Sequence, residues 1–417
     1  MQFNPTRDHG LARLANFLPN AGRKYADTRN FDDGSQPPGF RANVSQLSPW
    51  LHAGLISECE VCETVLGRHS PEASDKFIAE VFWRIYFKGY LEQRPTIWRA
   101  YLRTRDAALD LATSNAGVRR AYEQATNGDT GIEAFDHWVR ELVATGYLHN
   151  HARMWFASIW IFTLKLDWTL GADFFLRHLV DGDAASNTLS WRWVAGLHTK
   201  GKTYLARPDN ISRYTARRKD GPLAAKGLAS EAPALSEGED HPRKRLDFAP
   251  PPGPLAMKEP YALLLHDEGA SHEILDLIES PALVISASRP DFRSPGAIGQ
   301  PAQNFAHQSV QNAAERAAKR YDCKQIDWAP GERLEELLSD AGVNRVIYPY
   351  LPTGWTRDAL IGDLAPLEED GNAIALLGDL QRLTWPHAKA GFFGVKKQIP
   401  QILREAGIGE KTPDLFD

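Results

Sequence analysis

Apolar residues along the first 214 positions recur at three- and four-residue intervals, the spacing of amphipathic helices. Segments 76–91 and 132–148 follow that period, and 152–166 is apolar almost all round, which predicts a buried helix. From 259 the pattern changes. Tyr261–Leu265 and Ala282–Ser286 are short continuous apolar runs, predicted to be strands buried on both faces. A helix near 308–320, a strand at 325–328, helices at 333–341 and 355–368, and strands at 345–348 and 373–377 complete the alternation. It predicts a Rossmann-like parallel sheet covered by helices on both faces. No Gly-x-Gly-x-x-Gly follows any of these strands, so dinucleotide binding in the usual manner is not indicated there.

Between the two patterns, 215–258 runs through Arg217-Arg218-Lys219, then Ala, Gly, Ser and Glu, then Pro250-Pro251-Pro252-Gly253-Pro254. Such a stretch buries too little to fold alone and predicts a flexible linker, spanning about 35 Å. The expected organisation is an all-helical domain over 1–214, the linker over 215–258, and an α/β domain over 259–417.

Composition adds constraints. Hydrophobic residues make up 43% and charged residues 24%, the balance of an ordinary globular protein. No apolar run approaches the ~20 residues of a membrane span. Met1–Asp8 has no apolar core behind a basic end, so no secretory signal is expected. Three cysteines cannot build a disulfide framework, and the expected location is the reducing cytoplasm. Cys59-Glu60-Val61-Cys62 has zinc or redox spacing, but no second pair exists for a four-thiolate site, which favours two ordinary helix thiols. Residues 1–219 carry 28 basic and 23 acidic side chains, and the remainder 20 and 30. A mildly basic half beside an acidic one suits nucleic acid meeting the first half, and suits two unrelated solvated surfaces equally well.

Three stretches carry candidate chemistry. Nine of the twelve tryptophans lie before 214, a density that suits core packing and also a site for flat rings. Ser45-Gln46-Leu47-Ser48-Pro49 reads as a helix start, whose N–H groups and hydroxyls either cap the helix or receive a phosphate. In Asp181-Gly182-Asp183 two carboxylates flank a glycine, as they would for a divalent metal, but the following amide and indoles are poor company for a hard cation. Carboxylates accepting N–H groups from a flat heterocycle, one of them paired to Arg153, fit better, and no metal is assigned.

Residues 20–214 resemble the flavin-binding helical domain of the photolyase/cryptochrome family. The pieces that carry the resemblance are Tyr25-x-x-x-Arg29-Asn30-Phe31, Ser45–Pro49, Phe77–Arg84, His149–Met154 and Asp181–Trp193, in the family's order. The resemblance implies a buried FAD. Tyr25, Ser45, Gln46, Leu47 and Ser48 would hold its pyrophosphate region, with Asp181, Gly182 and Asp183 along the isoalloxazine edge. Arg153 would stand beside Asp181, Asn187 would face flavin N5, and Phe77 and Arg84 would line the same pocket. Glu80, Trp83, Asn150, Met154 and Trp193 match positions that contact a flipped pyrimidine dimer. Two indoles stacking on a base, each worth ~1–3 kcal/mol, would offset its extrusion.

The family chemistry is blue-light-driven electron donation from reduced flavin to the dimer in DNA, ring splitting, and return of the electron. Asn150 and Met154 stand where the (6–4)-repairing branch has two histidines, which disfavours that branch. An internal electron chain would start at Trp191 and pass through Trp168. The segment 103–122, which should hold its distal tryptophan, has none, leaving Tyr122 or Trp138 as substitutes or an electron chain that ends early. Val44 replaces the usual hydroxyl residue, Ile85 an acidic one, and Lys200-Gly201-Lys202 a commoner pattern.

Domain order departs as well. The family begins with its α/β antenna domain, whereas Leu383-Thr384-Trp385-Pro386 through Phe392-Phe393 near this chain's end resembles the close of that domain. The reading is a circularly permuted photolyase-like protein, with the antenna chromophore left open because no Arg-Leu-x-x-x-Asn signature follows Tyr261–Leu265. The leading function is a dimer-splitting DNA photolyase. The alternatives are a cryptochrome-like photosensor with a protein partner and a general nucleic-acid-binding flavoprotein.

Overall fold

The computed structural model describes residues 3–34, 40–246, 259–275, 277 and 279–409. Among the described residues every regular element up to residue 215 is helical, and every strand follows residue 260. The longest helix of the first half, Pro71–Glu92, starts with Ser70 accepting from the Ala73 N–H and with proline at its first position. The all-apolar stretch becomes the helix Asn150–Ser158, widened by a π turn over Ile159–Thr163. The expected 152–166 helix therefore ends early, where the Leu164 N–H reaches back to the Ile159 carbonyl.

The second half is a five-stranded parallel sheet, ordered β3-β2-β1-β4-β5. Its strands are β1 (Tyr261–His266), β2 (Leu283–Ala287), β3 (Lys324–Asp327), β4 (Arg345–Pro349) and β5 (Ala373–Leu376). Strands β1 and β2 are buried along their full length, as uninterrupted apolar runs require in a sheet covered on both faces. Each lies within about two residues of its expected position. The helices Gln300–Tyr321, Leu334–Asp340 and Trp355–Glu369 supply the crossovers from β2 to β3, β3 to β4 and β4 to β5.

The halves are not independent bodies. One core cluster joins Trp50, Phe77 and Phe82 of the helical half to Val284, Phe305 and Trp385 of the other. Gly89 makes this approach possible, because a Cβ there would lie 2.4 Å from the Trp385 indole. The interdomain stretch is irregular, as its composition implies, but 216–246 lies along the helical half. The Leu223 N–H donates to Thr215, Ala229 N–H to Thr163, Leu235 N–H to the Ala195 carbonyl and Lys244 N–H to the Gln93 carbonyl. Arg192 binds Glu237 through both terminal guanidinium nitrogens. Gly196 lets the segment approach, because a Cβ there would lie 2.9 Å from the Ala234 side chain. The proline run 250–254 lies outside the described residues.

Candidate functional site

The helix Trp168–His178 ends at Leu179, and four residues later Asp183 caps the helix Ala184–Val194 by accepting from the Ser186 N–H at 2.6 Å. The sharp turn between them puts both carboxylates in the interior. Asp181 receives Arg153 in bidentate fashion, at 3.1 Å and 2.9 Å. Burial pushes the Asp181 carboxyl up, but Arg153, aided by Ser48 and His52, holds it below the usual range.

Asp183 sits in a denser network. Arg84 lies 3.3 Å from its Oδ2, Lys88 3.5 Å and His52 Nδ1 3.6 Å. Burial again raises its pKa, and Arg84 and Lys88 outweigh burial, leaving it ionised well below the usual range. Lys88 also pairs with Glu268 at 2.5 Å, and Arg84 with Glu58 at 3.2 Å. His52, Asp183 and Glu268 offer ligand atoms within 4.8 Å of one another. With Lys88 on both carboxylates, a metal ion would meet a resident cation, so this triad is better read as an ion-pair network.

The α/β half closes over the same loop. The Trp355 indole N–H donates to the Gly182 carbonyl at 2.8 Å, and the buried Arg293 donates to the Leu179 carbonyl at 2.8 Å. Gly182 leaves room for Arg293, since a Cβ there would lie 2.6 Å from the guanidinium and force it to shift. Arg293, Trp355 and Glu268 come from more than 80 residues away in the chain, and no local motif marks them.

The Ser45–Ser48 stretch forms a tight loop before the five-residue helix Ser48–His52. Gln46 adopts a left-handed φ of 54°, and Arg13 ties the loop together through the carbonyls of Arg41, Val44 and Ser45. Arg13, which the motif reading passed over, puts a guanidinium directly beneath the loop. Tyr25 is buried edge-on to Phe77, with ring centroids 5.2 Å apart. Phe77 thus joins Tyr25 and Phe17, while Arg84, two turns along the same helix, joins Asp183.

Glu80 and Arg29 form an ion pair that is about one-third exposed. Trp83 follows Glu80 by one turn. The Arg29 carbonyl is bound by His149, the cap of the helix carrying Asn150 and Met154. Asn150 is exposed and Met154 half-buried. Trp193 lies on the helix Ala184–Val194, which packs against both the Glu80 and the Asn150 helices, and it stacks on Tyr204 at 5.7 Å. Asn187 donates to the Ala172 carbonyl at 2.8 Å.

Of the tryptophans assigned to electron transfer, Trp191 is fully enclosed and meets Trp160 at 6.2 Å. Gly171 permits the contact, because a Cβ there would lie 2.2 Å from the Trp191 ring. Trp160 in turn meets Tyr122 at 6.1 Å. Trp168 contacts Tyr101 at 5.8 Å, and among the described residues its ring is not stacked on Trp191. Trp138 stacks on Trp155, away from this line. Cys59 and Cys62 are free thiols on the helix Glu58–Leu66, and burial pushes Cys59 up to about 11.

Residues 77–220 match the family model described as the FAD binding domain of DNA photolyase. The match makes this segment similar to the FAD-binding domain of DNA photolyase. A deoxyribodipyrimidine photo-lyase from Streptomyces griseus is 32% identical over 261 residues, 58% of this chain and 53% of that protein. Its namesake from Thermus thermophilus is 32% identical over 200 residues, 48% of this chain and 45% of the relative. The chain therefore spans about half the length of the curated relatives it matches. Among solved structures, a bacterial class III photolyase from Agrobacterium tumefaciens aligns with a TM-score of 0.41 and 29% identity, covering 50% of this chain and 42% of that one. A Synechocystis cryptochrome aligns at 0.40 and 26% identity, covering 51% and 44%.

The model matched by residues 77–220 describes an FAD-binding domain, and the buried polar groups around Asp181–Asp183 fit that cofactor. His52 Nε2, Thr188 Oγ1 and Arg293 Nε are buried without a hydrogen-bond partner among the described residues, while Asp183 Oδ2 and His52 Nδ1 have only the ion-pair contacts given above. Buried polar atoms such as these are costly unless something polar meets them. The edge of an isoalloxazine ring, with N–H and carbonyl groups alternating, is such a partner. No described helix is long and apolar enough to cross a membrane.

Proposed function

We propose that this chain is a blue-light-dependent flavoprotein that splits cyclobutane pyrimidine dimers in DNA. The observation that carries the reading is the Arg29–Glu80 pair, part-exposed one turn from Trp83 and joined through His149 to the helix of Asn150 and Met154. A polar pair left accessible beside an indole suits a base read by hydrogen bonds and held by stacking. Bound reduced FAD supplies the photoexcited electron. Asp181 and Arg153 would orient the ring edge, and Arg84 and Lys88 would keep Asp183 ionised against it. Arg13 and the Ser45–Ser48 loop would hold the pyrophosphate region, with Tyr25 beside them. Glu80 would meet the pyrimidine edge, with Trp83 and Trp193 flanking it. The helical-first order is read as a circular permutation, supported by the 385–393 stretch packed on the Pro71–Glu92 helix.

A second reading, light sensing without repair, is favoured by one contact. Phe392 covers one face of Trp83, where a lesion would stack. The two readings separate in an assay of FAD-loaded, chemically reduced protein with a thymine-dimer oligonucleotide, under blue light and in the dark. Light-dependent recovery of intact thymines supports repair. A bound, photoactive flavin with no recovery overturns it in favour of sensing.

A further inference from the structure

A cavity of about 540 Å³ opens where the interdomain strap, the end of the Pro71–Glu92 helix and the C-terminal helices meet. Four of its seven lining residues are cationic: Arg243 and Arg245 from the strap, Arg382 and Lys389 from the C-terminal segment. No acid is among them. Arg382 is paired with Asp379 outside the lining, whereas Arg243 and Lys389 have no acidic side-chain partner among the described residues. Leu246 and Pro386 provide apolar wall, and Gln93 lies at the floor.

The arrangement is built rather than incidental. The Lys244 N–H donates to the Gln93 carbonyl at 2.8 Å, and His241 meets Thr96 at 3.1 Å, which holds the strap against the helix end on either side of Arg243. Across the cavity, the Gln93 amide donates to the Trp385 carbonyl and Arg94 to the Lys389 carbonyl, each at 2.7 Å. Three chain segments distant in sequence are thus fixed so that Arg243 and Lys389 face one concavity together with the paired Arg382, an arrangement that favours an anion there.

We propose that this cavity binds a small phosphorylated molecule of nucleotide size, separate from the FAD site. Phosphates would meet Arg243, Arg382 and Lys389, and the less polar part would lie against Leu246 and Pro386. The volume falls in the range of small-molecule sites, roughly 300–1,000 Å³. Cations converging on one concavity suit a compact polyanion better than a strand, which is followed by cations spaced along a surface.

The test uses full-length, FAD-loaded protein, so that the flavin site is filled, and ADP as the probe in titration calorimetry. ADP should bind with one site per chain and adenosine should not. Affinity should fall about tenfold or more in the Arg243→Ser/Lys389→Ser double variant, and also on raising salt from about 50 to 200 mM. Both side chains are peripheral, so the variant's melting temperature and flavin absorbance should match the parent. Failure of ADP to bind at millimolar concentration, or equal binding by the variant, overturns the proposal. So does binding of a short oligothymidine in place of ADP that depends on the same two residues, which would make the cavity a nucleic-acid contact.

Discussion

Trp83 and Phe392 stack face to face, with ring centroids 4.0 Å apart and planes 17° from parallel. One ring lies on the helix that carries Glu80, the other near the end of the chain. Tyr86 fastens the same segment by donating to the Ala390 carbonyl at 2.6 Å. The C-terminal segment therefore covers the indole that the resemblance assigns to lesion stacking.

Phe392→Ala should uncover that face. Because Phe392 is buried, the truncation should cost about 3 kcal/mol in urea unfolding. If the segment competes with a lesion for Trp83, affinity for a dimer-containing oligonucleotide should rise at the same time. Phe393, 77% exposed, supplies the control: Phe393→Ala should change neither quantity.

Electron supply to the flavin should run through Trp160. Trp191 touches Trp160, which touches the half-buried Tyr122, while Trp168 leads instead to Tyr101. Trp191→Phe and Trp160→Phe should each slow photoreduction of oxidised flavin by about tenfold or more, with Trp168→Phe having the smaller effect. Repair by chemically reduced protein should be largely retained in all three. Transient absorption after a blue flash reads the order of the radicals, and a faster loss with Trp168→Phe would restore the expected chain.

Asn187→Ala removes the hydrogen bond to Ala172 and the amide assigned to flavin N5. The folded protein should lose about 1 kcal/mol, and the midpoint potential of the bound flavin should shift. An unchanged potential in spectroelectrochemical titration would remove Asn187 from the cofactor's surroundings.

Stability should fall as the pH drops from about 6.5 towards 4. Burial lowers His149, His178 and His198 to about 4, so each stays neutral when folded after its unfolded counterpart has taken a proton. The unfolded state then binds more protons, which favours unfolding by up to about 1.4 kcal/mol per histidine per pH unit. Above pH 7 these residues should contribute no slope. Urea midpoints at pH 7, 6 and 5 test this above the range where Asp181 and Asp183 titrate, and His198→Gln should reduce the slope.

Much of the fold was legible because it rests on local periodicity. Continuous apolar runs bounded by turns located β1 and β2, and three- to four-residue spacing located the Pro71–Glu92 and Glu133–Thr145 helices. The Asp181–Arg153 pair was legible through the resemblance, which sets Arg153 beside Asp181. Tertiary packing decided the rest. Glycines at 89, 171 and 182 look like gaps in the sequence, yet they admit Trp385, Trp191 and Arg293. Arg293, Trp355 and Glu268 at the Asp183 loop, Phe392 on Trp83 and the turn from Trp168 to Trp160 all join residues that periodicity does not relate. The sequence by itself determined which segments become helix or strand and which polar groups need partners. Only the folded chain decided who those partners are, because burial acts on whatever side chains the packing of distant segments brings together.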